Sequence, residues 1–299
     1  MDSKNLKMNK KYSTFDVRRL SPDYLEFLQL IRDAKSFFKG KHQKDVDIED
    51  EETERCLKEG KNLINIEKME IDEKLLNELF CDFFPILRKY KTFDDAEIQD
   101  LEQKKEKIGL GKLVRLVLVG DLENPKALAL ELNLNPDLLL FFGLNLGQTF
   151  LELYAQKLKD KFDQENWFKG SCPVCGSFPA MEKLRREDGK RILWCGFCGT
   201  QWHYKRIMCP FCGNEDHNSL RYFFAEGDSS QAENPFRVDV CDQCKKYIKT
   251  IDERKLPENK ILDFSLENIN TLYLDILAQK EGYESSTYWM VATPEKGPV

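Results

Sequence analysis

The chain has 299 residues with a formal net charge of −6, and 41% of its residues are hydrophobic while 33% are charged. This length and composition are sufficient for two domains with buried cores, and they exclude a chain that is disordered throughout. The acidic balance argues against a dedicated nucleic-acid-binding protein, and no apolar run is expected to reach the length of a membrane span.

The first part of the chain is predicted to be helical. Residues 1–20 are polar and basic, and we interpret them as a flexible arm before a helical domain at residues 21–162. The first helix is expected to begin at Ser21, which can cap it ahead of Pro22, and to end at Gly40. Apolar residues then recur at helical spacing, which indicates a bundle whose apolar stripes form a core.

Within this domain the sequence predicts the structure of one apolar stretch, two Asn-Pro pairs and two isolated cysteines. We assign the apolar stretch Leu113 to Val119 to a helix, although its pattern also fits a strand. Asn124-Pro125 and Asn135-Pro136 each have the pattern of a helix cap followed by a first-turn proline. Cys56 and Cys81 have no nearby partner in the sequence, and they are expected to be buried thiols.

A polar linker at residues 163–170 is expected to lead into a cysteine-rich region. Eight of the ten cysteines form four Cys-x-x-Cys pairs, which are Cys172/Cys175, Cys195/Cys198, Cys209/Cys212 and Cys241/Cys244. A two-residue gap lets one tight turn direct two sulfur atoms at a single tetrahedral ion, so four pairs predict two four-thiolate metal sites. A secreted disulfide framework and a thioredoxin-like redox motif are both disfavoured, because neither is typically built from four such pairs.

The grouping of the four pairs is open to two alternatives. Consecutive grouping joins the first pair to the second and the third to the fourth, whereas an interleaved cross-brace joins the first pair to the third. A hairpin through Asp188-Gly189 would return the second pair to the first, which favours consecutive grouping. A similar turn is expected at Gly227-Asp228-Ser229. We therefore predict one four-cysteine module at residues 171–206 and another at residues 207–255.

Residues 256–299 are predicted to form a C-terminal helix and tail. The helix is expected over Leu266 to Glu281, and the tail carries the aromatic segment Tyr288 to Met290. The predicted fold class is therefore α+β, in which an all-helical N-terminal domain is followed by two zinc-ribbon four-cysteine modules and a C-terminal helix.

The ligand set limits the chemistry that is expected at the metal sites. Four thiolates leave no open coordination position, so hydrolysis at the metal is not expected, and the sequence contains no catalytic constellation. We predict that the protein is not an enzyme. Iron at such a site could still transfer one electron, and the sequence does not distinguish iron from zinc. His203 and His217 are interpreted as surface histidines, and the many thiolates favour the reducing environment of the cytoplasm.

Several short motifs surround the cysteine pairs. They are Cys172-Pro173-Val174-Cys175-Gly176, Trp202-His203-x-x-Arg206, Tyr247-x-Lys249, and Leu274-Asp275 with Gly282-Tyr283 in the last helix. In these motifs the chain resembles the FdhE family of formate dehydrogenase accessory proteins. The resemblance is specific from Cys172 to Tyr283, is poor at residues 214–235, and extends to the first half only as a helical region.

The resemblance implies a cytoplasmic factor that is needed to produce active formate dehydrogenase. Such a factor acts on the catalytic subunit during its maturation and does not remain in the finished enzyme. The resemblance also implies two rubredoxin-like sites, each with one tetrahedral iron or zinc ion held by four of the eight paired cysteines. We further hypothesise that exposed side chains, notably Trp202 and Arg206, contact this client protein, since aromatic and arginine side chains are effective in interfaces.

Two other functions fit the same residues. The first is a rubredoxin-like one-electron carrier with iron at one or both sites. The second is a nucleic-acid-binding zinc ribbon, which is suggested by basic residues close to aromatic ones: Lys183, Arg185, Arg186, Lys190 and Arg191 beside Phe178, Trp194 and Trp202. The overall acidity of the chain argues against the second function.

Overall fold

The computed structural model describes residues 21–42, 50–66, 68–159, 161–162, 167–225 and 234–286. These residues fall into two compact units, a helical unit at residues 22–161 and a sheet unit that contains residues 162–286. The arm predicted at residues 1–20, the turn predicted at Gly227-Asp228-Ser229 and the aromatic segment Tyr288 to Met290 lie outside the described residues.

The described residues of the helical unit form seven α-helices. They are α1 (Pro22–His42), α2 (Asp50–Lys58), α3 (Glu73–Tyr90), α4 (Asp95–Ile108), α5 (Leu110–Leu118), α6 (Glu123–Glu131) and α7 (Pro136–Leu158). The predicted cap of α7 is confirmed, because the Asn135 side chain accepts hydrogen bonds from the backbone N–H groups of Asp137 and Leu138. The helix predicted for the apolar stretch after Leu113 is confirmed as α5.

The core of the helical unit forms around α7. Phe142 is fully buried, and its ring lies 4.4 Å from that of Phe80 and 5.3 Å from that of Phe84, measured between centroids. Gly143 lets α5 approach α7 closely, because a Cβ atom at this position would lie 3.1 Å from the side chains of Leu113 and Val117. The apolar stripes therefore form a packed core, as their helical spacing predicts.

Three local expectations for the helical unit are wrong. Helix α1 continues past Gly40. Helix α6 begins at Glu123, so Asn124 lies inside the helix and is not its cap. Pro125 lies in the first turn, where the backbone N–H groups have no helical partner, so the N–H that proline lacks is not needed there. Cys81 is exposed, because it lies on the outer side of α3, whereas Cys56 is buried as predicted.

Helix α7 also corrects the expectation that no apolar run reaches the length of a membrane span. By length and composition alone this helix could cross a bilayer. However, 67% of its most apolar window is buried inside the protein. Such burial is typical of the central helix of a folded bundle, which is apolar on all sides because other helices surround it.

The sheet unit contains one six-stranded mixed sheet. Its strands are β1 (Met181–Leu184), β2 (Arg191–Trp194), β3 (Gln201–Tyr204), β4 (Leu220–Phe223), β5 (Phe236–Cys241) and β6 (Lys246–Asp252), in the order β3-β2-β1-β6-β5-β4. Strands β1 to β3 pair antiparallel, as do β4 to β6. Strand β1 runs parallel to β6, with Met181 opposite Lys249 and Leu184 opposite Asp252. The two four-cysteine modules are therefore halves of a single sheet.

Two short helices are present where the sequence predicts one C-terminal helix. They are α8 (Phe264–Asn270) and α9 (Leu272–Lys280). The helical hydrogen-bond pattern is interrupted at Thr271. The hydroxyl group of Thr271 donates a hydrogen bond to the carbonyl of Glu267, and the carbonyl of Thr271 accepts one from the N–H of Leu274. Helix α8 packs on the sheet through Phe264, whose ring stacks on Trp194 at a centroid distance of 5.4 Å.

Candidate metal centres

The paired cysteines form two separate four-sulfur clusters in the sheet unit. The first cluster contains Cys172, Cys175, Cys195 and Cys198, and the second cluster contains Cys209, Cys212, Cys241 and Cys244. Within each cluster all four sulfur atoms lie within 4.8 Å of one another. All ten cysteines belong to the described residues, and none of them forms a disulfide. The structure therefore has the consecutive grouping that the hairpin at Asp188-Gly189 predicts.

The spacing of the sulfur atoms fits a tetrahedral metal ion. Metal–sulfur bonds of about 2.3 Å give a regular tetrahedron with edges of about 3.8 Å. In the first cluster the Cys172–Cys198 and Cys175–Cys195 sulfur distances are both 3.5 Å. In the second cluster the Cys209–Cys244 and Cys212–Cys241 distances are 3.7 and 3.8 Å. Four thiolates at this spacing suit iron or zinc.

Each Cys-x-x-Cys pair lies in the same kind of turn. The carbonyl of the first cysteine accepts a hydrogen bond from the backbone N–H four residues later, which belongs to Gly176, Gly199, Gly213 or Lys245. All four of these residues have a left-handed backbone, with φ values of 80°, 76°, 72° and 58° respectively. Glycine adopts this conformation without steric cost, which explains why it follows three of the four pairs.

The strands bring the turns together. Strand β2 leads directly into Cys195, and the hairpin of β1 and β2 returns this residue to the turn that precedes β1. In the second half, β5 ends at Cys241, and β6 begins just after Cys244. Each cluster thus joins a turn before a hairpin to a turn at the end of a strand in that hairpin. This connection is local in sequence, which explains why the hairpin predicted at Asp188-Gly189 favours the consecutive grouping over the interleaved one.

The thiols of the two clusters differ in the direction of their pKa shifts: burial raises the pKa of four of them, whereas hydrogen bonds lower the pKa of Cys175 and Cys241 although burial opposes this. Burial raises the pKa of the Cys195 and Cys198 thiols in the first cluster. Burial likewise raises the pKa of Cys209, and it raises that of Cys244 to about 11. Thiols with raised pKa values stay protonated at neutral pH unless a metal ion stabilises the thiolates. Two neutral hydrogen bonds support the sulfur atoms, from Thr200 Oγ1 at 3.1 Å to Cys198 and from Asn214 Nδ2 at 3.5 Å to Cys241.

The two clusters differ in their exposure to solvent. All four cysteines of the first cluster are buried. In the second cluster Cys212 is exposed and Cys244 is half-buried. A chelator or an oxidant in solution can therefore reach the second cluster without any unfolding, whereas access to the first cluster requires local opening of the chain.

We expect the metal ion of the second cluster to be released first. In a chelator such as 4-(2-pyridylazo)resorcinol, the loaded protein is expected to lose its two ions in two phases that differ in rate by at least about tenfold. Absorbance of the chelator complex measures both phases. Cys212→Ser is expected to remove the fast phase and leave the slow one, while Cys81→Ser, which alters an exposed thiol outside both clusters, leaves both unchanged. A single phase in the wild-type protein would contradict the difference between the clusters.

The structure contradicts the expected exposure of Trp202. This side chain is 0% exposed, and its Nε1 donates a hydrogen bond of 3.0 Å to the carbonyl of Lys169. In β3 the exposed Gln201 alternates with the buried Trp202 and Tyr204, so the tryptophan lies on the inner face of the strand. The prediction that Trp202 contacts a client protein is therefore wrong, because it packs inside the sheet unit.

The other singled-out residues of the first module lie near the surface. Arg206 is exposed, and its Nη1 donates a hydrogen bond to the carbonyl of Gly189. His203 is half-buried, with its Nε2 3.5 Å from Arg185 Nη1, and His217 is exposed. Neither histidine belongs to a four-cysteine cluster.

The Tyr247-x-Lys249 motif receives a structural explanation. Alternate residues of β6 face the same side, so both side chains reach the carboxylate of Asp275 in α9. Tyr247 donates to Oδ1 at 2.9 Å, and Lys249 Nζ donates to Oδ2 at 2.6 Å and to the carbonyl of Asn268 at 2.9 Å. The motif therefore fastens the C-terminal helices to the sheet. Tyr247 and Lys249 are two positions apart in a strand, so their side chains face the same side, and this spacing in the sequence could have indicated that they share a partner.

Comparisons with known proteins agree with this architecture. Residues 171–206 match the family described as "FdhE, central domain", and residues 207–291 match "FdhE, C-terminal domain". A protein named "Protein FdhE homolog" from Aquifex aeolicus is 39% identical over 157 residues, and this match spans 52% of each chain, about half of that relative's length. "Protein FdhE" of Escherichia coli strain K12 is 25% identical over 285 residues, which cover 92% of this chain and 83% of that protein.

A solved structure has a similar fold. The crystal structure of the FdhE protein from Pseudomonas aeruginosa aligns with a TM-score of 0.62 and 20% sequence identity. The alignment covers 94% of this chain and 98% of that chain. At this level of identity the likeness concerns the fold alone.

Proposed function

From residue 171 to residue 291 this chain belongs to the FdhE family, and on this premise we propose that it is an accessory factor in the maturation of formate dehydrogenase. It binds the catalytic subunit of that enzyme in the cytoplasm through the metal-loaded sheet unit, and it dissociates before the mature enzyme is complete. The observation that carries this proposal is the pair of four-cysteine clusters built into one sheet, within the residues that match the family.

The proposed role is one of binding rather than of catalysis. An ion held by four cysteines has no open position for a substrate or a water molecule. The first cluster adds metal–thiolate bonds that join the turns around three four-residue strands, and these bonds supplement the small apolar cluster of Met181, Trp194 and Phe264. The metal ions, iron or zinc, thus hold the recognition surface in shape, and the eight cysteines are their ligands.

Complementation of a strain that lacks the corresponding gene tests this function. Wild-type protein is expected to restore formate dehydrogenase activity in anaerobically grown cells and to capture the catalytic subunit from them. The same activity with and without the protein would refute the proposal. Cys81→Ser is the matched control for substitutions at the clusters, since it removes an exposed thiol elsewhere.

The exposure of the second cluster favours a second candidate function. A one-electron carrier needs its metal near the surface, and Cys212 provides such access. Metal analysis and an absorption spectrum after anaerobic purification separate the two functions. A ferric four-thiolate site absorbs visible light, whereas zinc does not and cannot carry an electron.

The basic residues of the first module give little support to the nucleic-acid-binding alternative, because carboxylates of the protein already pair with several of them. Lys183 pairs with Glu253 at 2.9 Å, and Arg185 pairs with Asp188. Arg191 is 6% exposed and is bound to the buried carboxylate of Glu182. Side chains that are held by internal partners contribute little to phosphate binding.

A further inference from the structure

Two clefts in the sheet unit share lining residues, and we refer to them together as the basic groove. The first has a volume of about 590 Å³, and its charged and titratable lining is almost entirely basic: Lys190, Arg191, Lys205, Arg206, Arg254 and His203. The second has a volume of about 990 Å³ and shares Arg191 and Arg206 with the first; its charged lining is mixed, because Glu182, Glu215 and Asp239 also line it. The second cleft reaches Cys209 and Cys241 of the second cluster.

The cations of the first cleft differ in how far carboxylates compensate them: Arg191 is bound to Glu182 and Arg254 to Asp252, which leaves Lys205 and Arg206 as the better candidates for binding an anion. Asp188 is its one lining carboxylate among the described residues, and Arg185 already binds that carboxylate at 2.9 Å. Lys190 Nζ lies 3.9 Å from Asp188, and Lys205 pairs with Glu215 at 2.9 Å where both side chains are 57% exposed. Exposed ion pairs of this kind exchange readily with an incoming anion, because each is weak in water.

Arg206 is the least compensated cation of the groove. Within the part of the chain that the structure describes, no carboxylate pairs with it. Its guanidinium shares the space above Gly189 with that of Arg254, since a Cβ atom at Gly189 would lie 3.3 Å from Nη1 of each. Partial loss of hydration and the positive charges of Arg254 and Arg237 lower the pKa of Arg206. A carboxylate bound here would offset this repulsion, and the planar guanidinium group suits it.

The apolar lining of the groove indicates what carries the carboxylates. Phe168 and Ile207 are each 61% exposed, and they line the first and the second cleft respectively. Phe211 and Leu220 add apolar surface to the second cleft. Large apolar side chains beside cations complement a peptide that carries both acidic and apolar residues. A nucleic acid offers the charge but not the apolar side chains, and the net charge of −6 opposes a long polyanion.

We propose that the basic groove binds an acidic segment of the client protein that also carries apolar side chains. This inference rests on the proposed function, since it names the chemistry that the sheet unit recognises in its client. Arg206 and Lys205 bind carboxylates in the first cleft, while Ile207 contacts an apolar side chain in the second. Because the second cleft reaches Cys209 and Cys241, the bound segment covers one side of the second cluster.

Fluorescence anisotropy on the full-length, metal-loaded protein tests the groove directly. The probe is a fluorescein-labelled peptide of alternating glutamate and phenylalanine, and the comparison probes are the same peptide with glutamine for glutamate and a single-stranded oligonucleotide of equal charge. The test variant is the double substitution Lys205→Gln with Arg206→Gln. Arg254 is left in place, because its removal would leave the buried carboxylate of Asp252 without its partner. The charge-matched control is Lys89→Gln with Lys126→Gln, in the helical unit.

The expected result is that the acidic peptide binds the wild-type protein and the control equally, and binds the test variant about tenfold or more weakly. Saturating peptide is also expected to slow the fast phase of metal release without changing the slow phase. Equal binding of the glutamine peptide, equal binding by the test variant, or tighter binding of the oligonucleotide would each overturn the proposal. Unchanged metal content and circular dichroism show that the test variant is folded.

Complementation in cells separates a failure of this inference from a failure of the proposed function. If the wild-type protein restores formate dehydrogenase activity and the test variant does not, while the control does, the groove is the client site. If all three restore activity equally, the groove proposal falls and the maturation role stands. If the wild-type protein itself restores nothing, the maturation role falls.

Discussion

Replacing Cys195 by serine is expected to unfold the sheet unit at least in its first half, with a loss of about 4–5 kcal/mol or more in the free energy of unfolding. All four sulfur atoms of the first cluster are buried, so a serine hydroxyl at this position would lie among thiolates with no access to water. The turns that carry the four sulfur atoms flank three strands of four residues each, so loss of the ion removes the bonds that connect these turns. The loss of one ligand therefore removes metal affinity and folding free energy together.

Intrinsic tryptophan fluorescence measures the unfolding of the sheet unit in Cys195→Ser. The three tryptophans among the described residues, at positions 167, 194 and 202, belong to the sheet unit, and Trp202 is buried within the module that the first cluster holds. Urea titration of Cys195→Ser should show an early transition in fluorescence and a loss of one metal ion per chain. Cys81→Ser is expected to stay within about 0.5 kcal/mol of the wild-type protein. A full metal content and an unshifted transition in Cys195→Ser would show that the first cluster does not stabilise the fold.

The local features of the sheet unit could be predicted from the sequence, and its long-range features could not. The Cys-x-x-Cys turns depend on adjacent residues, and the hairpin at Asp188-Gly189 sets the grouping of the cysteines over a short distance. The parallel pairing of β1 with β6 joins residues far apart in the chain, and four-residue strands carry too little alternation to indicate a partner. A single six-stranded sheet therefore appears only in the structure.

The burial of Trp202 is predictable from the sequence around it. Gln201 to Tyr204 alternate between polar and aromatic side chains, and in a strand one of these two sets faces inward. Large aromatic side chains are usually the buried set, so the alternation itself argues against an exposed tryptophan. By contrast, the basic groove needs residues from separate parts of the sheet unit, such as Arg206 and Arg254, and no spacing in the sequence connects them.

The largest effect outside the clusters is expected from Asp275→Leu. This carboxylate is the counter-ion of Lys249, which is 1% exposed, and it also accepts the hydrogen bond of the buried Tyr247. Leucine would leave a buried ammonium group without an ionic partner, for which we expect a loss of about 3–5 kcal/mol in the free energy of unfolding. Lys246→Met is the matched control in the same strand. Its ion pair with Glu284 is exposed and 3.4 Å long, so the expected change is below about 1 kcal/mol.

A double-mutant cycle and a pH series show whether the ion pair itself accounts for this loss. Lys249→Met combined with Asp275→Leu is expected to recover part of the stability, because two apolar side chains leave no buried charge. Burial already lowers the pKa of Lys249, and removal of Asp275 takes away the main opposing charge. The unfolded chain then binds a proton that the folded chain has lost, so the unfolding free energy of Asp275→Leu should rise as the pH increases toward the ordinary lysine pKa. A flat pH profile together with an unimproved double variant would mean that packing of α9, rather than the charge pair, holds this helix on the sheet.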